Sequence, residues 1–197
     1  MTKLFKELQS ANISLVQIEK LLSKGKLLQV KSKSLLVQPG TICDKVYFVL
    51  KGGFVCRYIA KELEIEKTIN FYLDDFHPFM SCVDSYFSGT QTHCELRAIA
   101  YSEVLEFHKK DIDALMLEDT AFAQFYNFIL TRAFQEENDF KLKIISYSSE
   151  KLYSYLIAIC PEVIRQVPSR FVAEFMGISP EWLSKLKNKN RIKYFLN

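Results

Sequence analysis

Long apolar runs are absent from this sequence. No segment reaches the roughly 20 consecutive apolar residues that a membrane-spanning helix needs, so no membrane role is expected. Glycine and proline are scarce, at 6 and 5 of 197 residues. None of the glycines falls in a Gly-rich phosphate loop, and no nucleophile–base signature is present. No enzyme activity and no catalytic residue is expected. The three histidines, His77, His93 and His108, lack the spacing of a zinc site. The five cysteines, Cys43, Cys56, Cys82, Cys94 and Cys160, are scattered, odd in number and without a Cys-x-x-Cys pair. They read as reduced, mostly buried thiols, and no metal is expected. The first residues, Met1–Gln9, include an acid and an amide and no apolar core. They do not read as a signal peptide, and a cytoplasmic location is the expectation. There is no internal repeat and no low-complexity segment.

What is present is a globular composition, 49% apolar and 25% charged, with its positive charge at one end. Residues 149–197 carry eight Lys/Arg against four Asp/Glu, a net +4; the whole chain is +3, leaving −1 for the rest. No acid follows Glu181.

That basic end contains Ser169-Arg-Phe-Val-Ala-Glu-Phe-Met-Gly-Ile-Ser-Pro-Glu-Trp-Leu-Ser-Lys-Leu-Lys-Asn188. Apolar residues at Val172, Met176, Ile178, Leu183 and Leu186, with small Ala173 at the crossing, predict two packed helices. Gly177 supplies the left-handed corner. Ser179 is the N-cap, Pro180 the first helical residue and Glu181 an acid in the first turn. This is a helix-turn-helix pattern, whose second helix commonly enters the DNA major groove.

Upstream, residues 3–24 show a helical pattern with Leu4, Leu8, Ile13, Val16, Leu21 and Leu22 as contacts. Short β-rich runs follow at Leu27–Val30, Leu35–Gln38, Val46–Leu50, Phe54–Ile59, Lys67–Tyr72, Leu96–Tyr101 and Val104–Phe107. Turn signals separate several of them, which predicts an antiparallel roll or sandwich. The helical period returns at Asp111–Leu117. Asp119 then caps a long helix to about Ile145, with Phe122, Phe125, Ile129, Ala133, Phe140 and Ile144 as its stripe. Those steps match a coiled-coil seam interrupted near Glu136, favouring a dimer spine over a helix lying on the roll. A further helix, Glu150–Cys160, leads into the corner motif.

In this order the parts resemble the Crp/Fnr family of bacterial transcription regulators. In the roll, Val37-Gln-Pro-Gly40 and Lys45-Val-Tyr-Phe-Val-Leu-Lys-Gly52 resemble the family's opening turn and Gly-ended strand. The stretch Val167–Leu186 is the most specific match, closest to the Bacteroidetes branch. The resemblance implies an α+β fold: an N-terminal cyclic-nucleotide-binding-like antiparallel β-roll with its first helix (1–118), a long dimerisation helix (119–146) and a C-terminal all-α helix-turn-helix domain (147–197). It implies a homodimeric transcription regulator acting on double-stranded DNA, with RNA polymerase and a small-molecule effector as further partners.

The family's nucleotide cassette departs here. Ser81 and Cys82 stand where Gly-Glu holds the ribose, and Thr92 and His93 where Arg-Ser holds the cyclic phosphate. Loss of a buried charged partner costs about 2–5 kcal/mol, so cyclic AMP is not the expected ligand. Phe79, Met80, Ser81, Cys82, Val83, Thr92 and His93 mark the candidate effector pocket. Ser179, Pro180, Glu181, Ser184 and Lys185 are the expected base readers. Arg170, Lys187, Lys189, Arg191 and Lys193 are the expected phosphate contacts. Trp182 is expected to pack under the motif. The rival reading is a sensor module that binds a small apolar ligand or a protein, with no DNA role.

Overall fold

Eight antiparallel strands form two facing sheets. One has the order β1 (Lys26–Val30), β8 (Ser102–His108), β3 (Lys45–Lys51), β6 (Phe79–Met80). The other has the order β2 (Leu35–Val37), β7 (Cys94–Ala98), β4 (Gly53–Ala60), β5 (Ile65–Leu73). The structure is a computed structural model; it describes residues 14–195, with side chains over residues 14–189. Leu4, Leu8 and Ile13 of the expected first helix lie outside the described residues, as do the side chains of Arg191 and Lys193.

Eight α-helices are described. α1 (Leu15–Lys24) precedes the roll, α2 (Val83–Ser88) interrupts it between β6 and β7, and α3 (Lys109–Glu118) leaves it. The long α4 (Thr120–Ser146) follows, then α5 (Ser149–Ile159), α6 (Pro161–Gln166), α7 (Ser169–Met176) and α8 (Pro180–Phe195). β6, α2 and α6 are too short to show a period in the sequence. The fold is α+β, with the roll first and the helical bundle last, as expected.

β3 and β4 read as near-continuous apolar runs because both of their faces are covered. In β3, Tyr47 and Val49 point between the sheets, while Phe48 packs outward with Ile18, Phe107, Phe122 and Phe125. In β4, Phe54 and Cys56 point inward. Val55 points outward with Phe71 and Leu73 of β5, into a cluster that includes Leu156, Phe171, Leu183 and Leu186. The helical bundle thus shares a core with the outer face of the second sheet. The β3–β4 corner depends on Gly52, whose φ is 80°. A Cβ there would lie 2.5 Å from Ser102 Oγ and 2.6 Å from the Tyr101 carbonyl oxygen.

α4 has 27 residues, about 40 Å at 1.5 Å per residue. Asp119 caps it, accepting from the Phe122 N–H at 3.0 Å, and receives the Gln17 side-chain amide from α1 at 2.5 Å. The stripe expected as a dimer seam lies elsewhere in its first half. Phe122 and Phe125 are buried against α3 and the roll, with Ile129 packed beside them, and Phe140 packs on the helical bundle. Ile144 and Ala133 of the expected stripe are exposed, while Phe128, Phe134, Leu142 and Ile145, also exposed, lie on the opposite side of the helix. A helix with two apolar faces carries two apolar periods, and the roll takes one.

Candidate nucleic-acid interface and sensor cavity

The corner between α7 and α8 is closed by backbone chemistry. Gly177 has φ 65° and donates to the Glu174 carbonyl at 3.1 Å, and Ile178 donates to the Ala173 carbonyl at 3.0 Å. These two bonds make a Schellman motif, which satisfies the last carbonyls of α7. Ser179 Oγ then accepts from the Trp182 N–H at 3.2 Å, capping α8. Ala173, Leu183 and Leu186 are buried between the helices, so the side of α8 facing away from them is fixed.

That outward side presents Glu181, Ser184 and Lys185, with Ser179 and Pro180 exposed at its start. Asn188, one turn beyond Ser184 and not among the expected base readers, is exposed on the same side, as its spacing from Ser184 implies. Lys187 and Lys189 flank this side. Lys187 Nζ donates to Ser169 Oγ at 2.6 Å, and Lys189 Nζ reaches both Glu150 oxygens at 3.1 and 3.2 Å. Arg170 is exposed over the Phe171 ring, 4.4 Å from its centroid. Trp182 is not packed under the motif: it is 40% exposed, and its indole N–H donates to Ser149 Oγ at 3.0 Å, on α5.

The cassette region folds as β6, α2 and the loop into β7. Ser81 Oγ donates to the Lys45 carbonyl at 2.8 Å, and buried Cys82 precedes α2. Thr92 Oγ1 accepts from the Cys94 N–H at 2.9 Å and donates to the Asp84 carboxylate at 3.2 Å. The position aligned with the phosphate arginine therefore faces a carboxylate. Arg97 is engaged on the outside of the roll by Glu95, at 2.8 and 2.9 Å.

A cavity of about 180 Å³ opens between the roll, α2 and α4. Of the seven expected pocket residues, Phe79, Met80, Ser81 and Val83 line it; Cys82, Thr92 and His93 do not. The remaining wall comes from α4, from Leu21 of α1, from Ile112 of α3, from Tyr86 and Phe87 of α2 and from the roll strands, elements far from the cassette in sequence for the most part. Phe122, Phe125, Ile129 and Ala133, placed by the sequence at a dimer seam, line this cavity instead.

All five cysteines are buried and unbridged. Cys43 is held at about 6, chiefly by a hydrogen bond from the Cys82 thiol, with burial opposing it. Among the described residues, no group of three or more His, Cys, Asp or Glu could hold a metal ion. None of the described helices is long and apolar enough to cross a membrane.

No protein-family model matches the chain, and no curated protein does. Solved structures do match. The chain is similar to CLP, the c-di-GMP-responsive global regulator of Xanthomonas campestris: 13% identity over 91% of this chain and 93% of that one, TM-score 0.68. It is similar to FixK2 of Bradyrhizobium japonicum: 12% identity, 86% and 85% coverage, TM-score 0.71. A protein from Eubacterium rectale described as a transcriptional regulator of the Crp/Fnr family matches at 13% identity, with 94% and 87% coverage and TM-score 0.66. The chain has the fold of the Crp/Fnr transcription regulators.

Proposed function

We propose that this chain is a sequence-specific DNA-binding transcription regulator of the Crp/Fnr type, acting in the cytoplasm as a homodimer and not responsive to cyclic AMP. The observation that carries the reading is the exposed side of α8. Glu181, Ser184 and Lys185 project from a corner rigidly closed at Gly177. Lys185 donates to guanine and Glu181 accepts from a cytosine amino group. Lys187 and Lys189 flank the groove and hold phosphates, which sets position rather than sequence.

Dimerisation through Phe128, Phe134, Leu142 and Ile145 of α4 would set the two α8 helices about 34 Å apart, one DNA turn. Association would remove these side chains from water at about 25 cal/mol per Å² buried. The Thr92–Asp84 contact places negative charge where a cyclic phosphate would need a cation, which argues against cyclic AMP. Selection of bound sequences from a random duplex library tests the reading. A two-fold-symmetric consensus is the expected result; binding without sequence preference would sink it.

A further inference from the structure

We propose that the cavity between the roll and α4 is a binding site for a neutral, ring-sized apolar molecule carrying a hydroxyl, of the phenol class. The inference deepens the reading of the roll as a sensor, but it does not depend on DNA binding. Three observations carry it.

The first is size and lining. The cavity is about 180 Å³ and is walled by aromatic and aliphatic side chains, among them Phe79, Met80, Tyr86, Phe87 and Phe125. A dry apolar cavity of about 150 Å³ accepts benzene.

The second is charge. Among the described residues, no Lys, Arg or His lines the cavity, so a phosphate or carboxylate group finds no counter-ion there, which is costly away from water. The one acid in the wall is Glu137. Its carboxylate accepts the Asn70 amide, and burial raises its pKa, favouring the neutral form.

The third is unspent hydroxyl capacity. Four tyrosines line the cavity. Tyr86 and Tyr126 share a hydrogen bond at 3.4 Å, and the Tyr72 hydroxyl accepts from Asn70 at 3.4 Å. The Tyr47 hydroxyl makes no hydrogen bond among the described residues. Its side chain is only 3% exposed, yet that hydroxyl is not sealed from solvent. Tyr47 is among the residues that line the cavity. A ligand hydroxyl satisfies its hydroxyl, and a hydrocarbon leaves it unpaired.

The ligand would rest on Phe122, Phe125, Ile129 and Ala133 of α4, the helix that leads from the roll to the helical bundle. These residues lie opposite the exposed Phe128, Phe134, Leu142 and Ile145, so pairing along that outer side leaves the cavity accessible.

The test is calorimetric titration of the full-length protein with p-cresol, toluene and cyclic AMP, without DNA. Saturable one-to-one binding of p-cresol, weaker binding of toluene and none of cyclic AMP is the expected pattern. Ala133 is exposed at the rim, so Ala133→Trp folds normally by circular dichroism and fills the cavity. It should weaken p-cresol by about tenfold or more. Tyr47→Phe should bring p-cresol close to toluene. Absence of saturable p-cresol binding, or Ala133→Trp binding as wild type, overturns the site. Toluene binding as tightly as p-cresol, or micromolar cyclic AMP, overturns the ligand class. None of these outcomes bears on whether α8 reads DNA.

Discussion

Arg57 of β4 and Glu174 of α7 meet in a bidentate pair, Nε to Oε2 at 3.1 Å and Nη2 to Oε1 at 3.3 Å. This pair fastens the helix-turn-helix to the roll. Thr68 adds a hydrogen bond to Glu174 at 2.7 Å, and the Arg57 guanidinium lies 5.6 Å from the Phe171 ring centroid. The arginine also reaches Glu95 at 3.2 Å and Glu66 at 2.8 Å. Arg57→Ala leaves the buried Glu95 with Arg97 alone and Glu174 with no cation. The expected loss is about 2–4 kcal/mol, somewhat under the full cost of orphaning a buried charge. Glu66 is 62% exposed, and Glu66→Ala should cost about 0.5 kcal/mol or less. Urea denaturation of both variants measures the difference; equal midpoints would refute the ranking.

The same cluster predicts an acid limb. Burial pushes the Glu95 carboxyl upward, but Arg97 and then Arg57 outweigh it and hold the pKa below the ordinary glutamate value. A folded pKa below the unfolded one stabilises fully above the unfolded value and is lost as pH falls through the folded value. Denaturant midpoints should therefore hold from about pH 7 to pH 5 and drop toward about pH 3. Glu95→Gln should flatten that drop, and an unchanged slope in the variant would assign it to other carboxylates.

At the α7–α8 corner, a Cβ added to Gly177 would meet nothing within 4 Å. The cost of Gly177→Ala is therefore conformational, about 1–2 kcal/mol for a left-handed residue. Ser179→Ala removes the cap of α8 and should cost about 1 kcal/mol. Thermal unfolding reads both. A neutral Gly177→Ala would mean that the corner relaxes out of its left-handed geometry.

Substitutions on the two faces of α4 test the proposed dimer separately from folding. Phe125 is 8% exposed within the chain, and Phe125→Ala should cost about 3–5 kcal/mol of stability. Phe134 is 73% exposed, and Phe134→Glu should leave stability nearly unchanged while converting a dimer to a monomer. Light scattering after size exclusion reports the mass. A Phe134→Glu variant that stays dimeric would move the interface off this face.

Much of this arrangement was legible because it is local. The capping signals at Asp119, Gly177 and Ser179 each act within a few residues, and each appears where the sequence places it. The strands were legible despite lacking alternation, because turn residues bound them. What stayed hidden is long-range. Arg57 and Glu174 are 117 residues apart, and nothing in the local pattern of either names the other. The orientation of α4 was hidden for a related reason: Phe122 and Phe128 are equally apolar, and only the roll decides which is covered. His93 was grouped with the effector pocket by alignment to a family cassette, whereas its ring stands 5.8 Å from that of Tyr58, on the roll strand β4.

Lys185 and Lys187 stand two residues apart on α8 and should behave differently toward DNA. Lys185 lies exposed on the outward side, 5.9 Å from the Trp182 ring centroid. Lys187 is turned toward α7 and held by Ser169 at 2.6 Å, a position suited to a phosphate. Lys185→Ala should weaken the selected site by about 1–3 kcal/mol and relax preference at one base pair. Lys187→Ala should weaken all duplexes evenly and lower the salt slope by about one. Gel shifts on the selected and a scrambled duplex across a salt series separate the two. If both variants lost affinity equally on both duplexes, Lys185 would be a phosphate contact, and base reading would fall to Glu181, Ser184 and Asn188.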